Sequence, residues 1–362
     1  MSDNPKEAER EMEKAIFISA DCWLCVFDLL PPSQLGLGIA LISRRFDYFV
    51  DEHFKTRKWT LNKIEIFQIR IEWICTKEME IVNSKRKALP IPQNPLPNKV
   101  IGFRHIHIDF IDRNVIAFLH HFRPIFASCP IYLYIGRANY SISGVILRNI
   151  WPMIAKNICG MEFSSSNFFH SFRKFVPPTL NDYCPSLRFV SSRAVDLFTE
   201  FPSDDSANAS DGQALAKWLF TPYPNNVPKV FKCHFHISKL DWLSKIAAFK
   251  AEFANASSPV NFIVVIWFYL SYFPDPGVVP FDQANEFTRE QLALKTTKFS
   301  SCFLLVRCPI ARDESKWTKW EKEAFGWHHH NQWNQISIPI SMHHEIGDGL
   351  LNVTPGPSDQ QK

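Results

Sequence analysis

Glycine is scarce, with twelve in 362 residues. No Gly-rich phosphate loop and no nucleophile elbow can be found, and the motifs hold no catalytic site. Basic charge is not concentrated. The net charge is +4 without a dense Lys/Arg run, whereas a general nucleic-acid binder carries a basic stripe, so no nucleic-acid partner is expected. Long apolar runs are missing too. The longest, Phe262 to Leu270, is too short to span a bilayer, and no membrane partner is expected. The opening MSDNPKEAEREMEK has no apolar stretch of the kind a secretory leader needs. The nine cysteines are scattered and odd in number. That fits a reducing compartment, cytoplasmic or nuclear, rather than a disulfide scaffold. In that setting the Asn-x-Ser/Thr matches at Asn139, Asn208, Asn255 and Asn352 have no meaning.

Metal-binding patterns are equally thin. His328-His329-His330 and His343-His344 are runs of neighbours that cannot all face one ion, and no Cys or acidic cluster stands beside them at ligand spacing. Cys22-x-x-Cys25 has redox spacing but no second pair, and reads as two buried helix cysteines. Asp204, Asp205 and Asp211 lie in SDDSANASDG, which lacks the ligand spacing of a calcium loop and reads as a solvated loop. No metal and no cofactor are expected.

What the chain does have is hydrophobic mass. Apolar residues make up 46%, with 32 Phe and 11 Trp, enough for a sizeable aromatic core in one large domain or two ordinary ones. We divide it into a charged lead-in (1–14), a helical module (15–60), a β-hairpin with a Pro-rich connector (61–99), an α/β region (100–345) and a disordered tail (346–362).

The helical module organises the rest. From Cys22 to Leu30 the residues Cys22, Trp23, Cys25, Val26, Phe27, Leu29 and Leu30 are apolar, nearly all round a short helix. Asp21 can cap its start and Pro31-Pro32 stops it. Leu35, Ile39, Ile42 and Phe46 recur at helical spacing, with Arg44, Arg45 and Asp47 on the other side. About 45 residues bury too little surface to stand alone, so the surplus apolar face needs a partner.

This stretch resembles the F-box, the helical module that docks on the Skp1 adaptor of cullin-type ubiquitin ligases. Ile18-Ser19 stands where the family has Leu-Pro. Val26-Phe27-x-Leu29-Leu30, Pro31-Pro32 and Leu35 follow, and Leu41-Ile42-Ser43-Arg44-Arg45-Phe46 replaces Val-Ser-Arg-Arg-Trp before the closing Trp59. The resemblance implies a Skp1-facing set of Ile18, Val26, Phe27, Leu29, Leu30, Pro31, Leu35, Leu41, Ser43 and Phe46, with cullin reached through the adaptor. With the second region and the block PSDQQK, the chain resembles members of an expanded F-box family of nematodes.

Beyond the module, Leu61, Ile64, Ile66, Ile69 and Ile71 lie in an extended run to which Ile81-Val82 can pair back. LPIPQNPLP, Leu89 to Pro97, can be neither helix nor central strand. From Val100 short strands alternate with amphipathic helices. Strands are expected at Arg104–Phe110, Ile131–Ile135, Ile158–Ser164, Leu187–Ser191, Val230–Ile237 and Val260–Phe268. Helices are expected at Arg113–Ala127, Ser143–Lys156, Phe168–Asn181, Asp211–Phe220 and Leu240–Ala254, the fourth opened by a Ser210/Gln213 capping box. Such alternation argues for a parallel sheet. Phe122-Arg123-Pro124-Ile125-Phe126-Ala127 matches Ile150-Trp151-Pro152-Met153-Ile154-Ala155 at an offset of 28. Cys129-Pro130 and Cys184-Pro185 each precede an apolar strand. We read an α/β fold whose second region is a degenerate leucine-rich-repeat-like solenoid, with a compact α/β sandwich as the alternative. The hairpin Glu286–Lys298 and Ser301–Pro309, the helix Asp313 to Phe325 and the strand Gln335–Ile340 are placed at the open end as a cap.

Alternation also predicts a recognition face. Side chains along a strand point alternately to opposite faces. Setting apolar residues inward leaves His105, His107, Asp109, Tyr132, Tyr134, Glu162, Arg188, Lys232, His234 and His236 on one sheet face, a composition suited to gripping a protein or peptide. The expected function is therefore the substrate-recognition subunit of a Skp1–cullin–F-box ubiquitin ligase, not itself an enzyme, with an unidentified protein target. The alternatives are a non-degradative F-box scaffold and, from another class, a catalytic α/β protein with a helical extension.

Overall fold

In the computed structural model the described residues are 18–30, 32–68, 79–81, 91, 95–175, 180–193, 197–235, 239–268, 278–328, 332, 334–340, 342, 345–347 and 350–351. The expected lead-in, most of the Pro-rich connector, Pro31, Ile69, Ile71, Val82, His236, both histidine runs save His328, and the tail past Leu351 lie outside them.

Helix α1 spans Ala20–Phe27, and its cap is Ser19, not Asp21: the Ser19 side chain accepts from the Cys22 N–H. The apolar series Leu35 to Phe46 does not form one helix. Leu35–Ile39 is a π-helical turn, and after a break at Ala40–Ile42 a new helix α2, Arg44–Thr56, begins at Ser43, whose side chain accepts from the Phe46 N–H. A Ser with an extended backbone offers the chain a fresh N-terminus, and here that overrides continuity of the apolar stripe.

Strand β1 (Trp59–Gln68) follows, and β2 (Met79–Ile81) pairs back on it antiparallel with Ile66 opposite Ile81. In the α/β region, β3 is Val100–Ile108. The expected helix Arg113–Ala127 is two, α3 (Arg113–His120) and α4 (Arg123–Phe126), with Pro124 in the first turn of the second. Next come β4 (Ile131–Ile135), then α5 (Tyr140–Asn149) and α6 (Trp151–Ile154), broken in the same way at Pro152. A proline inside a helix removes a donor and clashes with the preceding turn, but at a helix start it costs nothing. The matched Pro motifs thus occupy equivalent places, each a short helix leading into a strand.

The series continues with β5 (Ile158–Phe163), α7 (Ser166–Phe175), α8 (Leu180–Tyr183), β6 (Phe189–Ser192), α9 (Asp211–Leu219), β7 (Lys229–Phe235), α10 (Lys239–Ala254) and β8 (Phe262–Phe268). The expected Phe168–Asn181 helix is thus divided between α7 and α8. The Ser210/Gln213 capping box of α9 is present. The chain then forms β9 (Phe281–Asn285), which the sequence reading missed, β10 (Glu290–Thr296), β11 (Cys302–Pro309), α11 (Glu314–Gly326) and β12 (Gln335–Ile338).

The twelve strands among the described residues join one sheet in the order β2-β1-β3-β12-β4-β5-β6-β7-β8-β11-β10-β9. The run from β1 to β8 is parallel, and β11, β10 and β9 add antiparallel. The fold is therefore mixed α/β. Strand β12 does not sit at the end of the series. It is inserted between β3 and β4, with Ile336 opposite both Ile106 and Leu133.

Helices α3 to α10 pack on one face, around strand residues such as Ile106, Leu133, Met161, Phe231 and Val264. That core is aromatic: Phe118, Phe122, Phe126, Phe168, Phe172, Trp218, Trp242 and Phe249 are all buried in it, each worth about 1.5–3 kcal/mol of transfer free energy. The opposite face is covered only in part, where Trp317 and Ala324 of α11 and the following Trp327 pack on Phe189, Val230, Ile263, Val265, Leu304 and Val306. No helix among the described residues is long and apolar enough to cross a membrane.

Candidate functional site

Two regions stand apart from pure scaffold. The first is the helical module. Its core is small, with Phe27, Leu35 and Val50 buried and Trp23, Leu30, Phe46 and Phe49 packed around them. The rings of Trp23 and Phe46 meet edge to face at 4.8 Å, and Phe54 stacks on Trp59 at 4.9 Å, tying the module to β1. Three large aliphatic side chains expected to face an adaptor are outside: Leu29 is 84% exposed, Leu41 77% and Val26 43%. Ile42, absent from the expected set, joins them at 62%. Ile18 is exposed and its carbonyl accepts from Arg45 Nη2 at 3.0 Å. Phe27 and Leu35 are core, Leu30 and Phe46 are half-buried, and Ser43 acts as a helix cap. Cys22 and Cys25, read as buried, are exposed on α1. The described cysteines are all free thiols.

The second region is the face of the sheet opposite α3–α10. Strand pairing sets one row as Glu65, His107, Ser337, Tyr134, Glu162, Ser191, Lys232. The neighbouring row is Lys63, His105, Gln335, Tyr132, Gly160, Phe189. Of the predicted polar residues His105, His107, Tyr132, Tyr134, Glu162, Lys232 and His234 share one face, but much of it is not open. Glu162 is buried and accepts from Arg193 Nε at 2.7 Å. Lys232 is buried and donates to the Trp327 carbonyl at 3.3 Å. Burial lowers its pKa, partly offset by Glu162. The half-buried His234 ring is 3.2 Å from the Ser192 carbonyl through Nδ1, and burial lowers its pKa too.

Arg188 is not on this face as a strand residue. Strand β6 starts at Phe189, so the alternation is offset by one and Phe189 takes the polar face. Arg188 reaches over the Phe189 ring, 4.5 Å from its centroid, and forks onto Glu323 of α11 with two 3.0 Å bonds. At the β3 end the face is more open. His107 pairs with Asp109 at 3.0 Å, His105 Nε2 lies 3.0 Å from Ser337 Oγ, and Tyr134 OH lies 2.9 Å from Ser164 Oγ.

Between these parts is a cavity of about 270 Å³, lined by Tyr132, Phe189, Glu323, Gly326, Trp327 and Gln332. Gly160 makes it possible. A Cβ there would stand 2.7 Å from Tyr132 Cδ1 and 2.9 Å from Trp327 Cζ2, so both rings lean over the bare glycine. Trp327 is also stacked on Phe189, centroids 5.3 Å apart at 7°. Burial raises the Tyr132 phenol pKa. An isolated Gly inside a strand was the one available signal for this close approach.

The Asp204, Asp205, Asp211 loop is tied rather than free: Arg173 donates to the Ala209 and Ser206 carbonyls and pairs with Asp211. Among the described residues no cluster of His, Cys, Asp and Glu could hold a metal ion. Comparison with protein-family models, with curated proteins and with solved structures finds no match.

Proposed function

We propose that the chain is a recruiting subunit: the helical module is an F-box that docks on a Skp1-like adaptor, and through it a cullin, while the α/β region captures a protein target. One observation carries the reading. A module with three buried apolar side chains among its described residues leaves Val26, Leu29, Leu41 and Ile42 exposed together with Ile18. Apolar surface left uncovered on so small a unit is what a protein partner would cover. The F-box motif order supplies the partner's identity. The α/β region, with β4 to β8 adjacent in chain order and their helices behind them, is compatible with a leucine-rich-repeat-like solenoid and equally with a compact α/β body. On this reading the protein performs no bond chemistry. It raises the local concentration of a target near a ubiquitin-charged partner, in the cytoplasm or nucleus.

Co-purification tests the reading. Tagged full-length chain expressed with a Skp1-like adaptor should retain the adaptor, and a Leu29→Asp, Leu41→Asp variant should lose it. An adaptor that never co-purifies with the wild type would end the ligase reading. The non-degradative scaffold alternative predicts adaptor binding with an unchanged half-life of the captured target.

A further inference from the structure

We propose that Cys22 and Cys25 form a thiol-modification site on the exposed face of the helical module, S-thiolated by a low-molecular-weight disulfide such as glutathione disulfide. The two sulfurs are exposed on α1. Cys22, Cys25 and Val26 stand at i, i+3 and i+4 and so share one side of the helix, and Val26 is itself 43% exposed. Leu29, 84% exposed, follows in the turn after it. The Ser19 hydroxyl donates to Cys22 Sγ at 3.2 Å and places that sulfur at the helix start.

Access and thiolate character decide which cysteine reacts. Burial pushes the thiols of Cys129 and Cys302 up to about 11 and raises those of Cys159, Cys184, Cys233 and Cys308. Near neutral pH these six stay protonated and shielded. Cys22 and Cys25 are the exposed thiols among the described residues, and Cys75 lies outside those residues. The pair does not close on itself. Residues three apart on an intact helix hold their Cβ atoms about 5–6 Å apart, beyond the roughly 3.5–4.5 Å of a disulfide, so neither sulfur displaces an adduct from the other. In the reaction a protein thiolate attacks one sulfur of glutathione disulfide. A protein–glutathione S–S bond forms as the reagent's own S–S bond breaks, and the released glutathione takes the electron pair and the proton the protein thiol gave up. No further oxidant is consumed.

An adduct on either sulfur plants a charged tripeptide beside Val26 and Leu29, on surface the adaptor would cover. That consequence rests on the F-box reading; the site itself does not, so the two fail separately. The full-length chain, reduced and then held with glutathione disulfide, is followed by intact mass and peptide mapping. Adducts should appear on Cys22 and Cys25 about tenfold or more faster than on any of the six shielded cysteines, and dithiothreitol should remove them. The thiolated chain should bind adaptor about tenfold or more weakly, about 1.4 kcal/mol, and binding by Cys22→Ser, Cys25→Ser should not change on the same treatment. Adducts forming first at Cys75 or at a shielded cysteine, none on Cys22 or Cys25, or a Cys22–Cys25 disulfide as the main product would overturn the site. Full adaptor binding by the thiolated chain would overturn its effect on docking. A wild type that never binds adaptor ends the ligase reading, and the mapped adducts then decide the site alone.

Discussion

Glu290 of β10 and Arg307 of β11 meet at 2.6 Å with their side chains 1% exposed. The guanidinium lies over the rings of Phe220 and Phe253, and its Nη2 also donates to the Ser258 carbonyl at 2.9 Å. The other oxygen of Glu290 accepts from the Val260 N–H at 2.7 Å. One buried pair thus fastens the antiparallel strands to the chain entering β8, the last parallel strand. It makes the parallel block and its antiparallel extension one body.

Removing one partner should be costly. Arg307→Met leaves a buried carboxylate uncompensated and should lose about 3–5 kcal/mol of stability. Denaturant titrations of both proteins check this, and a loss below about 1 kcal/mol contradicts it.

In the helical module, burial separates folding from binding. Phe27→Ala opens the small core and should cost about 3–5 kcal/mol, enough to unfold a unit of this size. Leu29→Ala and Leu41→Ala touch exposed side chains and should stay within about 0.5 kcal/mol of wild type. On the proposed reading these two still lose adaptor in a pull-down. Thermal melts beside the pull-down distinguish the cases, and adaptor binding unaffected by either exposed substitution would count against the docking surface.

The strands β4 and β8 were legible because Ile131–Ile135 alternates strictly and Phe262–Phe268 is a continuous apolar run. The break at Pro124 was readable in principle, since the proline stands in the expected helix interior. The place of β12 was not. Four residues, Gln-Ile-Ser-Ile, carry no information about which gap they fill, and only Ile336 packing between Ile106 and Leu133 settles it. Glu162 and Lys232 were misplaced in environment, not in face: alternation tells which side a residue points to, but not that α11 and Trp327 lie across that side. The Arg188 error was a one-residue slip at a strand start, which exchanges the faces of the residues beside it.

Lys229 should make stability pH-dependent. It is buried, donating to the Trp218 carbonyl at 2.6 Å and to Asn181 Oδ1 at 2.9 Å, and burial pushes its pKa down to about 7. The unfolded chain, with an ordinary lysine pKa near 10.4, therefore binds more protons between pH 7 and 10. Its penalty on the folded state is full below the lowered pKa and fades as pH rises toward the unfolded one, so stability gains up to about 1.4 kcal/mol per pH unit in that window. Lys229→Met abolishes this contribution. Urea unfolding at pH 7.5, 8.5 and 9.5 should show a shallower pH slope for the variant, and parallel slopes would refute the shift.

Gly160 lies under the rings of Tyr132 and Trp327 and Gly326 directly precedes Trp327, and the two glycines should answer a methyl group in opposite ways. At Gly160 the added carbon would press on Tyr132 and on Trp327, two rings held by the sheet and by α11. Neither is the free end of a flexible side chain, so Gly160→Ala should cost about 1–3 kcal/mol through overpacking. Relief comes most easily by lifting Trp327, which would part it from Phe189 and loosen the hold of α11 on the sheet. At Gly326, the last residue of α11, the same methyl group meets open space. Replacing glycine by alanine in a helix gains about 0.5–1 kcal/mol by restricting the unfolded chain, so Gly326→Ala should be neutral or stabilising. Thermal unfolding ranks the two, and acrylamide quenching of tryptophan fluorescence reads the exposure of Trp327 in Gly160→Ala. A Gly160→Ala protein as stable and as poorly quenched as wild type would mean that Trp327 is not wedged above the glycine.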